Sequence, residues 1–374
     1  LFVRYVAQGT LWKLDTLFQL SMEIYDTKQS KMVYTKRWQT SWKKLTSIKD
    51  DLSENILNTL KVKVNHQQKV HMVSINPDAY ELYLKAKHKF EKRETFADTE
   101  VARGLLRKAI ELDKNLLSAK ILLGTTFESI GDYDKALEFY SKAFTQAQIL
   151  NDKLTEGLCI SKIGGLYNAK GDFAKALEYH SRALKIFKEF DAQSNIAESL
   201  FYIGWAHQYY TGIDEAMEYY LLSFEKYKKL NDKYKIARGL NSLGIVASNK
   251  SQYKKAIEYY QEAIPIIKEI GSKDFASTLL SNIGHEYTQL QNYELSIDYY
   301  SQALKIDEEL GDKGSVGHIK SKIGDVYKSL GDYRDAENYY NDALKIRIEL
   351  GINSYIGYSY FDLGSLYCIR EDYK

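Results

Sequence analysis

Residues 321–343 read SKIGDVYKSLGDYRDAENYYNDA, and the fold class follows from their spacing. Gly324 stands inside an apolar pattern of helical period, Gly331-Asp332 interrupts it, and Ala336, Tyr340 and Ala343 then share one face of a second helix. The same words return every 40 residues. Gly124, Gly164, Gly204, Gly244, Gly284, Gly324 and Gly364 each follow an aliphatic residue. Behind each of the first six comes a small residue, a ring and another small residue, as in Ala136, Tyr140, Ala143 and again in Ala176, His180, Ala183. A fixed period of this length means two-helix units stacked on one another, because no single unit can bury its own apolar face. The pattern predicts about seven and a half repeats over 79–374. The first is irregular, carrying Ala102, Leu106 and Ala109 in its second helix, and the array is cut off in the eighth.

Glycine inside a helix costs about 1 kcal/mol relative to alanine, so seven at constant spacing need a physical reason. Close backbone approach is that reason: a Gly-bearing helix sits tightly against an Ala-bearing one. The aromatic residue after the first Ala is expected to fill the gap toward the neighbouring repeat. The ring just before it (Phe139, Tyr179, Tyr219, Tyr259, Tyr299, Tyr339) is likewise expected to pack between repeats, which accounts for much of the excess of 32 tyrosines. Gly131-Asp132 and Gly331-Asp332 read as a helix stop followed by a helix cap. Pro265, inside a second helix, is expected to kink or shorten it.

These residues resemble the tetratricopeptide repeat in its 40-residue form, as in kinesin-light-chain-like and Rap- or Pins-like proteins. The resemblance implies a mainly α fold, a right-handed helical solenoid whose first helices line a concave groove that holds a peptide or protein segment.

The first 78 residues differ. Phe18, Leu20, Met22 and Ile24 alternate with polar neighbours, and Met32 to Trp38 reads as a return strand, so a hairpin is expected. Leu45, Ile48, Leu52, Ile56 and Leu60 then follow at helical spacing. Residues 1–65 are expected to form a small α+β partial domain and 66–78 a linker. The words Tyr5-Val6-Ala7-Gln8-Gly9-Thr10, Phe18-Gln19-Leu20, Trp38, Trp42 and Leu45-Thr46-Ser47-Ile48 resemble the second half of a TolB amino-terminal-like domain. The phrase Asn76-Pro77-Asp78-Ala79-Tyr80 resembles the junction that follows it. That resemblance implies a bacterial signalling protein whose effector lies upstream: a class III adenylate/guanylate cyclase first, with a winged-helix transcription regulator or a Ser/Thr kinase as the alternative. The absence of an initial Met and the halt in the eighth repeat lead us to expect a piece of a longer chain, with self-association through the truncated end.

Composition narrows the function classes. With 52 Lys+Arg against 50 Asp+Glu there is no global electrostatic case for nucleic acid. No run approaches the ~18 apolar residues of a membrane span. Two cysteines, Cys159 and Cys368, make neither a disulfide framework nor a four-ligand zinc site, and a cytoplasmic setting is expected. No glycine-rich phosphate loop or zincin motif occurs, His180 and His207 stand at core ring positions, and neither a catalytic site nor a cofactor is expected in this region.

What remains is surface. On the Gly-bearing helices, the positions six, three and two before the Gly and one and four after it are expected to face the groove. The candidates for contact with a peptide or protein are Phe201, Trp205, Gln208, Arg238, Asn241, Ser281, Asn282, His285, His318 and Lys322. Phe201 and Trp205 form the expected aromatic anchor, and the amides and hydroxyls suit a peptide backbone. Of the asparagines that peptide-holding relatives often carry two before the Gly, only Asn282 is present.

Overall fold

Three strands open the chain because 5–41 alternates or runs apolar with β-branched and aromatic residues, whereas beyond Asn76 the apolar period changes from two to 3.6. The computed structural model describes residues 5–14, 17–26, 31–41, 76–93, 95–351 and 353–369. Strands β1 (Tyr5–Leu14), β2 (Leu17–Asp26) and β3 (Lys31–Ser41) form one antiparallel sheet in the order β1-β2-β3, with a register shift at Ile24/Tyr25. The expected hairpin is therefore two strands of a three-stranded meander. The expected helix over Leu45 to Leu60 lies outside the described residues.

Helices then alternate without interruption. They are α1 (Pro77–Glu91), α2 (Phe96–Leu112), α3 (Leu117–Glu128), α4 (Tyr133–Ile149), α5 (Lys153–Ala169), α6 (Phe173–Glu189), α7 (Gln193–Tyr210) and α8 (Ile213–Leu230). There follow α9 (Lys233–Asn249), α10 (Tyr253–Ile270), α11 (Lys273–Gln289), α12 (Tyr293–Leu310), α13 (Lys313–Leu330), α14 (Tyr333–Leu350) and α15 (Asn353–Ile369). Odd helices carry the periodic Gly from α3 onward, and even helices carry the small-ring-small triplet. Turn chemistry sets the boundaries. The Asp332 side chain accepts from the amide of Asp335 at 3.3 Å and so caps α14, while Gly331 ends α13 with φ +80°, a backbone conformation that glycine reaches without strain.

By internal contact the chain forms two units, Leu1–Gly171 with Lys185–Phe190, and Asp172–Leu184 with Asp191–Lys374. In the first, α1 packs on α2 and α3 on α4. Arg103, 3% exposed, ties α2 to α3: its Nε donates to the Thr126 hydroxyl at 3.0 Å and its Nη2 to the Thr126 carbonyl at 2.6 Å. In the second, each odd helix from α7 to α13 packs against the even helix that follows it, and the even helix against the next odd one.

The Gly register explains the tight pairing. A Cβ added at Gly124 would lie 2.6 Å from the Tyr140 ring, and one at Gly324 2.7 Å from Tyr340; Tyr260 presses on Gly244 closer still. The rings of Tyr140, Tyr220, Tyr260, Tyr300 and Tyr340 thus lie on the Gly of their own repeat, and the expected reach toward the next repeat is seen at His180, which stacks on Tyr202 at 5.1 Å. The preceding ring, expected to pack between repeats, is corrected at Phe139, Tyr219, Tyr299 and Tyr339, which lie on the partner helix of their own repeat. Tyr299 stacks on Tyr287 at 5.4 Å and Tyr339 on Tyr327 at 5.5 Å, bridging the two helices within one repeat. Where serine replaces alanine in the triplet, its hydroxyl bonds a carbonyl of the paired helix: Ser223 to Ala197 at 2.8 Å and Ser296 to Gly284 at 2.8 Å. Burial of these small polar side chains is thereby compensated. Pro265 is contained in α10, which runs unbroken over 18 residues, because the proline is exposed on the outer side of the helix. The expected shortening does not occur.

Candidate partner-binding face

The buried tyrosines do a second thing. Their rings fill the core while the hydroxyls of Tyr140, Tyr220 and Tyr340 reach side chains one or four residues after the Gly. Tyr220 donates to Gln208 Oε1 at 3.0 Å, Tyr340 to Asp325 Oδ1 at 2.7 Å, and Tyr140 to Glu128, with the Thr125 hydroxyl 3.0 Å away. Desolvation raises these phenols well above their ordinary pKa, so they remain donors at any working pH. The core thereby fixes side chains on the outer face of the odd helices.

In the second unit that face changes character from repeat to repeat. At α7 and α9 it is aromatic and ion-paired. Arg238 donates from Nη2 to Glu198 at 2.7 Å and to the Tyr227 hydroxyl at 2.9 Å, and its guanidinium lies 4.1 Å over the Phe201 ring. Lys235 approaches the same Glu198 carboxylate at 3.7 Å. Phe201 is 8% exposed under this arginine, so it is packing rather than the open anchor expected. Trp205 is half-buried and tilted on Tyr202 at 6.0 Å. At α9 and α11 the face is amide: Asn282 Nδ2 donates to Asn241 Oδ1 at 2.9 Å, and half-buried Ser281 stands beside them. Exposed His285 follows. Its pKa is held below the ordinary value by partial burial and then by the charge of Lys322.

At α13 and α15 a cleft of about 590 Å³ opens, lined by His318, Ser321, Lys322, Tyr355, Tyr358 and Asp362 among others. Arg347 reaches its floor from α14, donating to the Ser359 hydroxyl at 2.7 Å and lying 3.8 Å from Asp362; Ser321 donates to Asp362 at 2.6 Å. His318 is exposed, and desolvation followed by the charges of Lys322 and Arg347 lowers its pKa. Lys322 bonds Asp325 at 3.2 Å.

Three groups of expected residues come together in this way: Phe201 with Arg238, Asn241 with Asn282, and His318 with Lys322. Gln208 is engaged by Tyr220. The reading missed the pairing of Glu198 with Arg238, although opposite charges 40 residues apart share one register and so signal it. It also missed Arg347, a charge at a register where Tyr227 and Ile267 stand in other repeats. His207 is not a core ring: it is half-buried, stacked on Tyr219 at 5.0 Å. Cys159 is buried with its thiol pushed up to about 12 by desolvation, while Cys368 is exposed. Among the described residues no helix is long and apolar enough to cross a membrane.

Sequence-family models described as tetratricopeptide repeat match residues 117–148, 157–229, 237–268 and 274–349, together more than half of the chain. No characterised protein matches by sequence. Solved structures resemble the fold at low identity. A signal transduction ATPase with a tetratricopeptide repeat sensor from Pyrococcus horikoshii aligns at TM-score 0.60 and 18% identity, over 80% of this chain and 51% of that one. The apo form of RapI aligns at 0.57 and 15%, over 73% and 98%. A Rap protein complexed with competence and sporulation factor aligns at 0.56 and 15%, over 87% and 92%.

Proposed function

We propose, for a chain that belongs to the tetratricopeptide-repeat family, that the odd-helix face of the second unit binds an extended protein or peptide segment in a regulatory role. The observation that carries this reading is the graded face itself. A half-open Trp205 beside Tyr202, an amide rung of Asn241 and Asn282, and a polar cleft at His318 and Lys322 follow one another along successive odd helices. An extended strand presents its own amides and carbonyls to such a rung and its side chains alternately to the flanking pockets. A few desolvated residues carry most of the energy of such interfaces, and Trp is prominent among them. The Rap protein whose structure contains competence and sporulation factor offers a precedent of similar fold. The setting we infer is a bacterial signalling protein with an adenylate/guanylate cyclase upstream, supported by the TolB-like words in residues 1–78 alone.

A displayed library of random twelve-residue peptides, panned on the purified chain, tests the binding reading. Enriched sequences should lose binding to the Trp205→Ala, Asn241→Ala variant and keep it for Lys254→Glu, Glu258→Lys, two exposed changes on α10, with helical circular dichroism unchanged in both. The opposite pattern would place the surface on the even helices and remove the reading.

A further inference from the structure

Repeat six, α11 with α12, buries two carboxyl groups with no cation beside them among the described residues, whereas the buried Glu156 of α5 is paired with Lys153 at 2.8 Å. Glu286 stands two residues after the periodic Gly, a position held by Ala206, Val246, Val326 and Leu366 elsewhere, and it is 1% exposed. Among the described residues its Oε2 has no hydrogen-bond partner, and the Ser248 hydroxyl of α9 bonds the carboxyl. The titratable groups that face it are Tyr260 from α10 and Tyr300 from α12, both neutral phenols with raised pKa. Asp307 stands where Tyr227 and Ile267 lie in other repeats and is 4% exposed. The Ser277 hydroxyl of α11 bonds it, and the charged groups facing it are Asp274 and Asp312, both of like sign. Neither carboxyl makes an ion pair among the described residues. An ionised carboxylate in such surroundings is strongly disfavoured unless the structure opens to admit water.

We propose that repeat six is a proton-held seam: closed while Glu286 and Asp307 carry their protons, and loosened when these groups ionise, beneath the face residues Ser281, Asn282 and His285 on the same helix. The seam stands independently of what binds that face. Desolvation raises Glu286 to about 7 and Asp307 above its ordinary value. A carboxyl whose folded pKa lies above its unfolded one contributes full stability below the unfolded value, and that contribution is lost as pH rises through the folded value. The window for Glu286 is therefore roughly pH 4.3 to 7.

Native-state hydrogen exchange on the whole chain at pH 5.5 and pH 8.0, corrected for the intrinsic pH dependence of exchange, tests the seam. Protection of α11 should fall by about tenfold or more relative to α9 between the two conditions. Glu286→Gln, which keeps the shape and removes the charge, should reduce that excess, and Glu286→Gln with Asp307→Asn should abolish it. An equal response of α9 and α11 in the wild-type chain would overturn the proposal, as would an excess that persists undiminished in Glu286→Gln.

Discussion

Gly244 and Gly364 occupy one register in two environments. Tyr260 lies against the first, while nothing lies within 4 Å of a Cβ placed on the second. Alanine therefore acts oppositely at the two sites. Gly244→Ala should destabilise by about 1 to 3 kcal/mol through overpacking, whereas Gly364→Ala should stabilise by up to about 1 kcal/mol through helix propensity. Paired denaturant melts check the sign. Histidine in place of the usual tyrosine gives a second residue-scale test. His180 is fully buried and stacks on Tyr202 at 5.1 Å, and desolvation lowers its pKa to about 3. An unfolded histidine titrates near 6.5, so the contribution of the neutral ring is present above that pH and lost as pH falls toward 3. Between pH 7 and pH 5 the melting temperature of the wild-type chain should drop further than that of His180→Tyr; parallel curves would contradict the burial argument. At this scale the glycine register was legible because one residue type recurs seven times at one spacing. The Arg238 lid on Phe201 was not, since exposure of a ring depends on what an adjacent repeat lays over it.

The alternation of helices was legible, because small-ring-small triplets mark the buried face of every second helix and the turn words between them mark where one helix gives way to the next. Two features of the elements were not. The paired rings at Tyr287/Tyr299 and Tyr327/Tyr339 join helices inside a repeat, and a period of 40 alone does not distinguish contact within a unit from contact with the next unit. Strand β1 went unread because Tyr5 to Leu14 lacks clean alternation; its place in the sheet comes from pairing with β2 along all ten residues. Proline in α10 is a further test at this scale. Pro265 deletes one backbone donor yet leaves the helix continuous. Pro265→Ala should restore that bond and stabilise the chain by up to about 3 kcal/mol, the usual penalty of an interior proline. A loss of stability in the melt would mean that the ring itself packs against something the helix needs.

Across the second unit, the odd helices present aromatic, amide and charged positions in chain order, and the even helices present charged side chains interspersed with exposed Leu and Ile such as Leu222, Leu295 and Ile348. Ion pairs such as Lys273–Glu309 at 3.2 Å and Lys313–Glu349 at 2.8 Å join helix starts to helix ends 36 residues on; exposed as they are, they add little. The proposed docking on the odd-helix side rests on the amide rung of Asn241 and Asn282 between Trp205 and the His318 cleft. The most direct measurement is cross-linking. A library-enriched peptide carrying a photoreactive residue near its centre should label α9 and α11 in the wild-type chain, with labels at or beside Asn241 and Asn282, and lose them in the Trp205→Ala, Asn241→Ala variant. Labels confined to α10 and α12 would contradict the account.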